Sequence, residues 1–177
     1  MHLISLRGIP NEVLTGILEQ SLKIKRNQGK YSSALAGKKM YMLFQKTSTR
    51  TALSFGLGME ELGGSYFLQN WEDSNFSVGE IMDEVRYVGR NVDLIMARLK
   101  ENQDLETMAK YSTVPVINGC CNKYHPSQAM ADLLTINEVF GNLQVKLLYV
   151  GVRNNVCNSL ITSLPRLGGE LITVTPL

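Results

Sequence analysis

Lys38-Lys39-Met40-Tyr41-Met42-Leu43-Phe44 runs straight into Gln45-Lys46-Thr47-Ser48-Thr49-Arg50-Thr51, and this junction governs how the whole chain is read. The apolar run of residues 40–44, with lysines before it and polar residues after, has the length of a strand buried on both faces. Ser48 has the character of a helix N-cap, and residues 49–62 continue at helical spacing to a Gly63-Gly64 stop. A buried strand feeding a capped helix is half of a βαβ unit. The first turn of such a helix leaves backbone N–H groups without partners, and the helix dipole adds positive character there. With the hydroxyls of Ser48, Thr49 and Thr51 and the Arg50 guanidinium at one mouth, the junction can cradle a phosphate group. The plain alternative is a capped helix with a solvated arginine.

Outward from that junction the same alternation repeats. Upstream, Val13, Leu14, Ile17, Leu18 and Leu22 give residues 11–26 a helical period. Downstream, the pattern predicts a strand over 65–68, a polar loop over 69–78, a helix over 79–90 and a strand over 92–97. A helix over 104–111, a strand over 114–118 and a helix over 126–140 follow. After Gly141 it restarts: strand 145–150, helix 155–167, strand 170–174. The expected fold class is α/β, a parallel sheet flanked by helices on both faces, followed by the first part of a second α/β domain. The expected boundary separates residues 1–140 from 141–177, because a tail of about one βαβ unit is too small for its own core.

Composition narrows the function. The chain has 177 residues, a formal charge of +2, 44% hydrophobic and 19% charged residues, ordinary values for a globular domain. No Lys/Arg block argues for nucleic acid, and no run reaches membrane-spanning length. Cys120, Cys121 and Cys157 show no zinc spacing, and His125 is the one histidine besides His2, so no metal is expected. Neither GxGxxG nor GxxxxGK[ST] occurs, which removes the usual dinucleotide and nucleotide-phosphate loops. No secretory signal is evident at the N-terminus, and unpaired thiols fit a reducing compartment, so a cytoplasmic location is expected.

Two further segments carry chemistry. His125-Pro126-Ser127-Gln128 places proline at the first helical position, which makes His125 the N-cap and brings Gln128 to the same helix mouth, as in a capping box. Arg98 closes the apolar strand after Asp93, at the carboxyl edge where open α/β sheets bind ligands. Taken singly, a capping histidine and a surface arginine are the bland readings. Jointly, all three segments follow strands of one expected sheet.

Together these residues resemble the aspartate/ornithine carbamoyltransferase family. Ser48-Thr49-Arg50-Thr51 is similar to its Ser-Thr-Arg-Thr motif, Arg98 to the arginine closing its Asp-x-(apolar)-Arg strand, and His125-Pro126-x-Gln128 to its His-Pro-x-Gln motif. Gly79-Glu80, Asp83, Arg86 and Arg90 resemble the helix after its mobile loop, and the likeness runs from about Asn11 to the end. The resemblance implies a carbamoyl phosphate-binding domain needing no cofactor. Ser48, Thr49, Arg50 and Thr51 would hold the phosphate. Thr51, Arg98 and His125 would contact the carbamoyl oxygen and Gln128 the carbamoyl nitrogen. It further implies an amino acid as second substrate, a homotrimer, and a loop at residues 70–78, with Asn75 as its polar candidate, reaching a neighbour's site. Arg153-Asn154-Asn155 with Ser159 looks more like the ornithine type than the aspartate type, which would place the chain in arginine metabolism with Asn155 on the amino-acid side.

The chain departs from the family pattern in four places. Ala52, Gln45 and Gly56 stand where the family carries Arg, Glu and Glu, which suggests a lost ion-pair network, and Val152 stands where it carries Asp. The segment completing the family's amino-acid site would lie beyond Leu177, so the expectation is a fragment inactive alone. A non-catalytic carbamoyl phosphate-binding module, or a diverged enzyme acting on aspartate or another amine, is the alternative.

Overall fold

A computed structural model describes residues 1–176. Its centre is a four-stranded parallel sheet of β1 (Lys39–Phe44), β2 (Ser65–Asn70), β3 (Leu94–Arg98) and β4 (Val116–Cys120), in the order β2-β1-β3-β4. The helices are α1 (Asn11–Arg26), α2 (Thr49–Glu61), α3 (Ile81–Val88), α4 (Asn102–Tyr111), α5 (Pro126–Phe140) and α6 (Asn155–Ile161). A second, two-stranded parallel sheet pairs β5 (Lys146–Val150) with β6 (Glu170–Val174).

Strand alternation sorts the core into two faces. Tyr41 and Leu43 of β1, with Ile95 and Ala97 of β3, pack on α3 and α4 through Val85, Val88, Leu105 and Met108. Met40, Met42 and Phe44, with Met96, turn to the other face, where Met59, Ala52 and Phe55 of α2 meet them. A period of two therefore puts Arg98 on the α2 side of the sheet. Central strands covered on both sides must be apolar along their length, which is why β1 reads as an unbroken run. At the amino edge, away from the ligand edge, Asp93 accepts from Lys38 Nζ at 2.8 Å and from the Lys39 backbone N–H at 2.9 Å. Those bonds hold its carboxyl below the ordinary aspartate range.

The chain moves from β1 outward to β2, then returns across β1 to β3, so strand order reverses between β1 and β3. Ligands of open α/β sheets bind at the carboxyl side of such a switch point. Phe44 and Arg98 are in register there. Gly119 of β4 permits close packing beneath: a Cβ on it would lie 2.4 Å from Met96 Sδ and 3.4 Å from Thr51 Cγ2.

Several expectations shift. Strand β3 extends to Arg98 and β4 to Cys120, so Arg98 is a strand residue, not the residue after it. Helix α6 stops at Ile161, and Leu164–Leu167 forms a separate 3-10 turn. Pro165 explains the break, since it supplies no backbone N–H for a continuing helix. The loop over 70–78 is not merely polar. Its 3-10 turns bring Trp71 and Phe76 together at a 5.7 Å ring separation, with Phe76 buried in the core. Helix α5 spans Pro126–Phe140 as read and ends on Gly141 at φ 75°, a left-handed cap that glycine takes without strain.

The tail docks on α1 and α5 through a shared cluster of Leu14, Leu18, Leu133, Leu160 and Leu164. Arg166 fastens it to the N-terminal segment, donating to the carbonyls of Leu6 and Ile9 and to Asn11 Oδ1. Among the described residues, no helix is long and apolar enough to cross a membrane.

Candidate functional site

At the switch point the ends of β1, β3 and β4 and the starts of α2, α5 and α6 surround a hollow of about 500 Å³. Ser48, Arg50, Thr51, Arg98, His125, Gln128 and Asn155 all line it. Of the sequence-predicted site residues, Thr49 does not line the hollow, and its side chain is exposed. Asn75 lines a different cavity of about 370 Å³ under the 70–78 loop.

The α2 mouth is built as its sequence suggests. Ser48 is the N-cap, and its hydroxyl accepts from the Thr51 backbone N–H at 3.2 Å. The amides of Thr49 and Arg50 find no acceptor among the described residues. Thr51 Oγ1 receives two bonds, from Ser48 Oγ at 3.0 Å and from Arg98 Nη1 at 3.3 Å. Its two acceptor positions are thereby filled, so its own proton must be offered outward.

Charge in the hollow is of one sign. Arg50 and Arg98 both line it, no carboxylate does, and neither guanidinium has an ion-pair partner among the described residues. Arg98 Nε is buried with no acceptor among the described residues. A buried donor of a cation left unsatisfied is costly, which makes an incoming anion favourable there. Oriented amides, a helix N-terminus and two guanidiniums without ion-pair partners border one volume, an arrangement suited to an anion.

His125 is the N-cap of α5, with Pro126 at the first position, and its backbone N–H donates to Ser159 Oγ at 2.9 Å. Burial, reinforced by the Arg98 charge, pushes its pKa down to about 4, so the ring is neutral near pH 7. Nδ1 lies 3.3 Å from Ser127 Oγ. The expected capping box is absent. His125 makes no side-chain cap bond, and Gln128 Nε2 donates instead to Asp132 Oδ1 at 2.9 Å. A carboxylate one turn along the helix is the stronger acceptor within reach of that amide.

The positions that depart from the family pattern are occupied by neutral groups. Gln45 Oε1 accepts from the Lys100 backbone N–H at 2.8 Å. The Tyr66 ring fills the space beside Gly56, where an added Cβ would come within 2.9 Å of it.

Sequence reasoning missed Cys120, Ser54, Phe55, Ser127, Ala131 and Val156 in the lining. Cys120 had a signal. It ends β4 in register with Arg98, as Arg98 ends β3. Reading the strand two residues short concealed it.

Comparison with known proteins bears on the family and the fold. The family described as aspartate/ornithine carbamoyltransferase, carbamoyl-P binding domain, matches residues 1–138. Ornithine carbamoyltransferase of Methanocaldococcus jannaschii is 41% identical over 178 residues, covering 99% of this chain and 58% of the relative. That of Pyrococcus horikoshii is 45% identical over 171 residues, covering 94% and 54%. The structure of ornithine carbamoyltransferase from Pyrococcus furiosus superposes with a TM-score of 0.93 at 43% identity, covering 99% of this chain and 57% of that one. The catalytic subunit of M. jannaschii aspartate transcarbamoylase gives 0.88 at 30% identity, covering 99% and 60%. The chain thus spans a little over half the length of the relatives it matches.

Proposed function

The chain belongs to the aspartate/ornithine carbamoyltransferase family through its carbamoyl phosphate-binding domain, and from that premise we propose that it binds carbamoyl phosphate in the hollow at the β1–β3 switch point. The observation that carries this reading is the carboxylate-free hollow, with Arg50 and Arg98 unpaired beside the α2 N-terminus.

In this reading residues 1–140 form the carbamoyl phosphate-binding domain and residues 141–177 open an amino-acid-binding domain. Ser48, Thr49, Arg50 and Thr51 hold the phosphate. Thr49 contributes its free amide, since the residue itself is exposed and does not line the hollow. Thr51, Arg98 and His125 face the carbamoyl oxygen, and Gln128 the carbamoyl nitrogen. A neutral amine, taken here as that of ornithine, attacks the carbonyl carbon. A nitrogen–carbon bond forms, the bond from that carbon to the bridging phosphate oxygen breaks, and phosphate leaves with the electron pair and takes up the proton that the amine loses. Negative charge gathers on the carbonyl oxygen in the transition state. Arg98 and the outward-facing Thr51 hydroxyl meet it as fixed donors. His125 joins as a neutral donor through Nε2, with Ser127 donating to Nδ1. A neutral ring suits this role, because a second cation beside Arg98 would have to be kept charged against burial. The reading extends to a cytoplasmic homotrimer in arginine metabolism, with the 70–78 loop and Asn75 serving a neighbouring copy's site.

Calorimetric titration with carbamoyl phosphate tests the assignment. Binding is expected for the chain itself, with little or no citrulline formed from ornithine. Arg50→Ala should weaken binding by about 1.5–3 kcal/mol, the value of a charge-assisted bond. Equal affinity in wild type and variant sinks the cradle.

A further inference from the structure

Asn155, the first residue of α6, has its carboxamide pressed against the end of β4. Its Nδ2 donates to the Cys121 carbonyl at 2.6 Å and lies 3.2 Å from Cys120 Sγ. A backbone carbonyl can only accept, so this contact fixes which end of the amide carries the protons. Both protons are used on the β4 edge. Oδ1 is left without a protein partner among the described residues, in a side chain that lines the hollow with Arg98 and His125. Cys120 belongs to the same wall, half-buried and in register with Arg98. Burial raises its thiol above the ordinary range despite the opposing pull of Arg98, so the sulfur is a neutral S–H. It accepts from Asn155 and can direct its own proton to the Cys121 carbonyl, 3.7 Å away.

We propose that Cys120 is a positioning residue: with the Cys121 carbonyl it clamps the Asn155 carboxamide so that Oδ1, an acceptor, faces the hollow and receives an N–H of the amine substrate. The substrate's identity rests on the carbamoyl-transfer reading above; the clamp does not. The lining also carries the guanidiniums of Arg50 and Arg98, which are donors only and repel an approaching N–H. An amine therefore needs an acceptor on the α6 side. A carboxamide free to flip would offer its NH₂ end as readily, and the clamp removes that state.

Nitrogen-15 NMR of the 177-residue chain, with carbamoyl phosphate and ornithine as probes, decides the matter. In the wild type the Asn155 side-chain protons should exchange at least about tenfold more slowly than those of exposed Asn154, as one net hydrogen bond implies. Cys120→Ala should lose most of that protection and Cys120→Ser should keep it. With carbamoyl phosphate present, ornithine should shift the Asn155 signals in wild type and Cys120→Ser but not in Cys120→Ala. Unprotected Asn155 protons in the wild type overturn the clamp, and that measurement needs no variant. Protection that survives Cys120→Ala overturns it too, as does loss of carbamoyl phosphate binding in that variant, which indicates a collapsed wall. Ornithine leaving the wild-type signals unmoved overturns the acceptor role. Failure of the wild type to bind carbamoyl phosphate removes the proposed function, and the exchange rates still judge the clamp.

Discussion

The four-stranded sheet and the β5–β6 pair are both parallel, yet they meet water in opposite ways. In the larger sheet the central strands β1 and β3 have helices on both faces, so Met42, Leu43, Ile95 and Met96 are fully buried, while the edge strand β2 leaves Tyr66, Phe67 and Leu68 39–60% exposed. In the smaller one Leu147 and Leu171 face the α1–α5–α6 cluster, while Leu148, Val150, Ile172 and Val174 are 45–69% exposed on the other side. Their registers match, Leu148 with Ile172 and Val150 with Val174, so the exposed side chains form one apolar patch. Parallel strands are ordinarily covered on both sides. The hollow lies where the unit with covered central strands meets the half-covered one: Arg50 and Arg98 come from the first, and Asn155 from the second. On the proposed reading the anion-holding groups belong to the first unit and the amine-facing wall to the second, which is why binding and turnover are expected to separate in this chain.

That contrast can be broken by paired substitutions. Leu43→Ala in β1 should cost about 2–5 kcal/mol in urea unfolding, through lost burial and the cavity left behind. A small effect would mean that the larger sheet is not the stable unit. His125 joins the two regions and gives an intermediate effect with a defined sign. Its folded pKa is about 4, against 6.5 for an unperturbed ring. Between those values the unfolded chain binds the additional proton, so stability is lost as pH falls from 6.5 toward 4. His125→Gln should flatten that part of the stability profile, and identical profiles would remove burial as the cause. The smallest effect belongs to Leu148→Lys, which should change unfolding free energy by no more than about 0.5 kcal/mol, because the side chain is already in water. The same change should reduce self-association in sedimentation, as expected when a charge interrupts an exposed apolar patch. A large loss of stability in Leu148→Lys would show that this face is covered after all.

Much of the molecule was legible from local signals. Ser48 caps α2 because a hydroxyl before a helical run accepts the third amide of the helix, a relation contained within four residues. Pro126 and Gly141 delimit α5 by their own backbone restrictions. The unbroken apolar run of β1 announced a strand covered on both faces. Longer-range choices did not show. Gln128 turned to Asp132 although its spacing suited a capping box, and α6 broke before Pro165, where periodicity alone continued. The end of β4 at Cys120 was hidden because Gly119 and a cysteine pair lack an apolar signature.

By itself, then, the sequence determined which main elements form and that a capped turn rich in hydroxyls follows β1, since these depend on residues a few positions apart. Only the tertiary structure decided that Arg98 meets Thr51 and that Asn155 is clamped by the end of β4. Those contacts join residues 47 and 35 positions apart, through a strand order that reverses at β1 and a helix docked from the tail. Pairing between distant segments is selected by how whole faces pack, and no local pattern of residues records it.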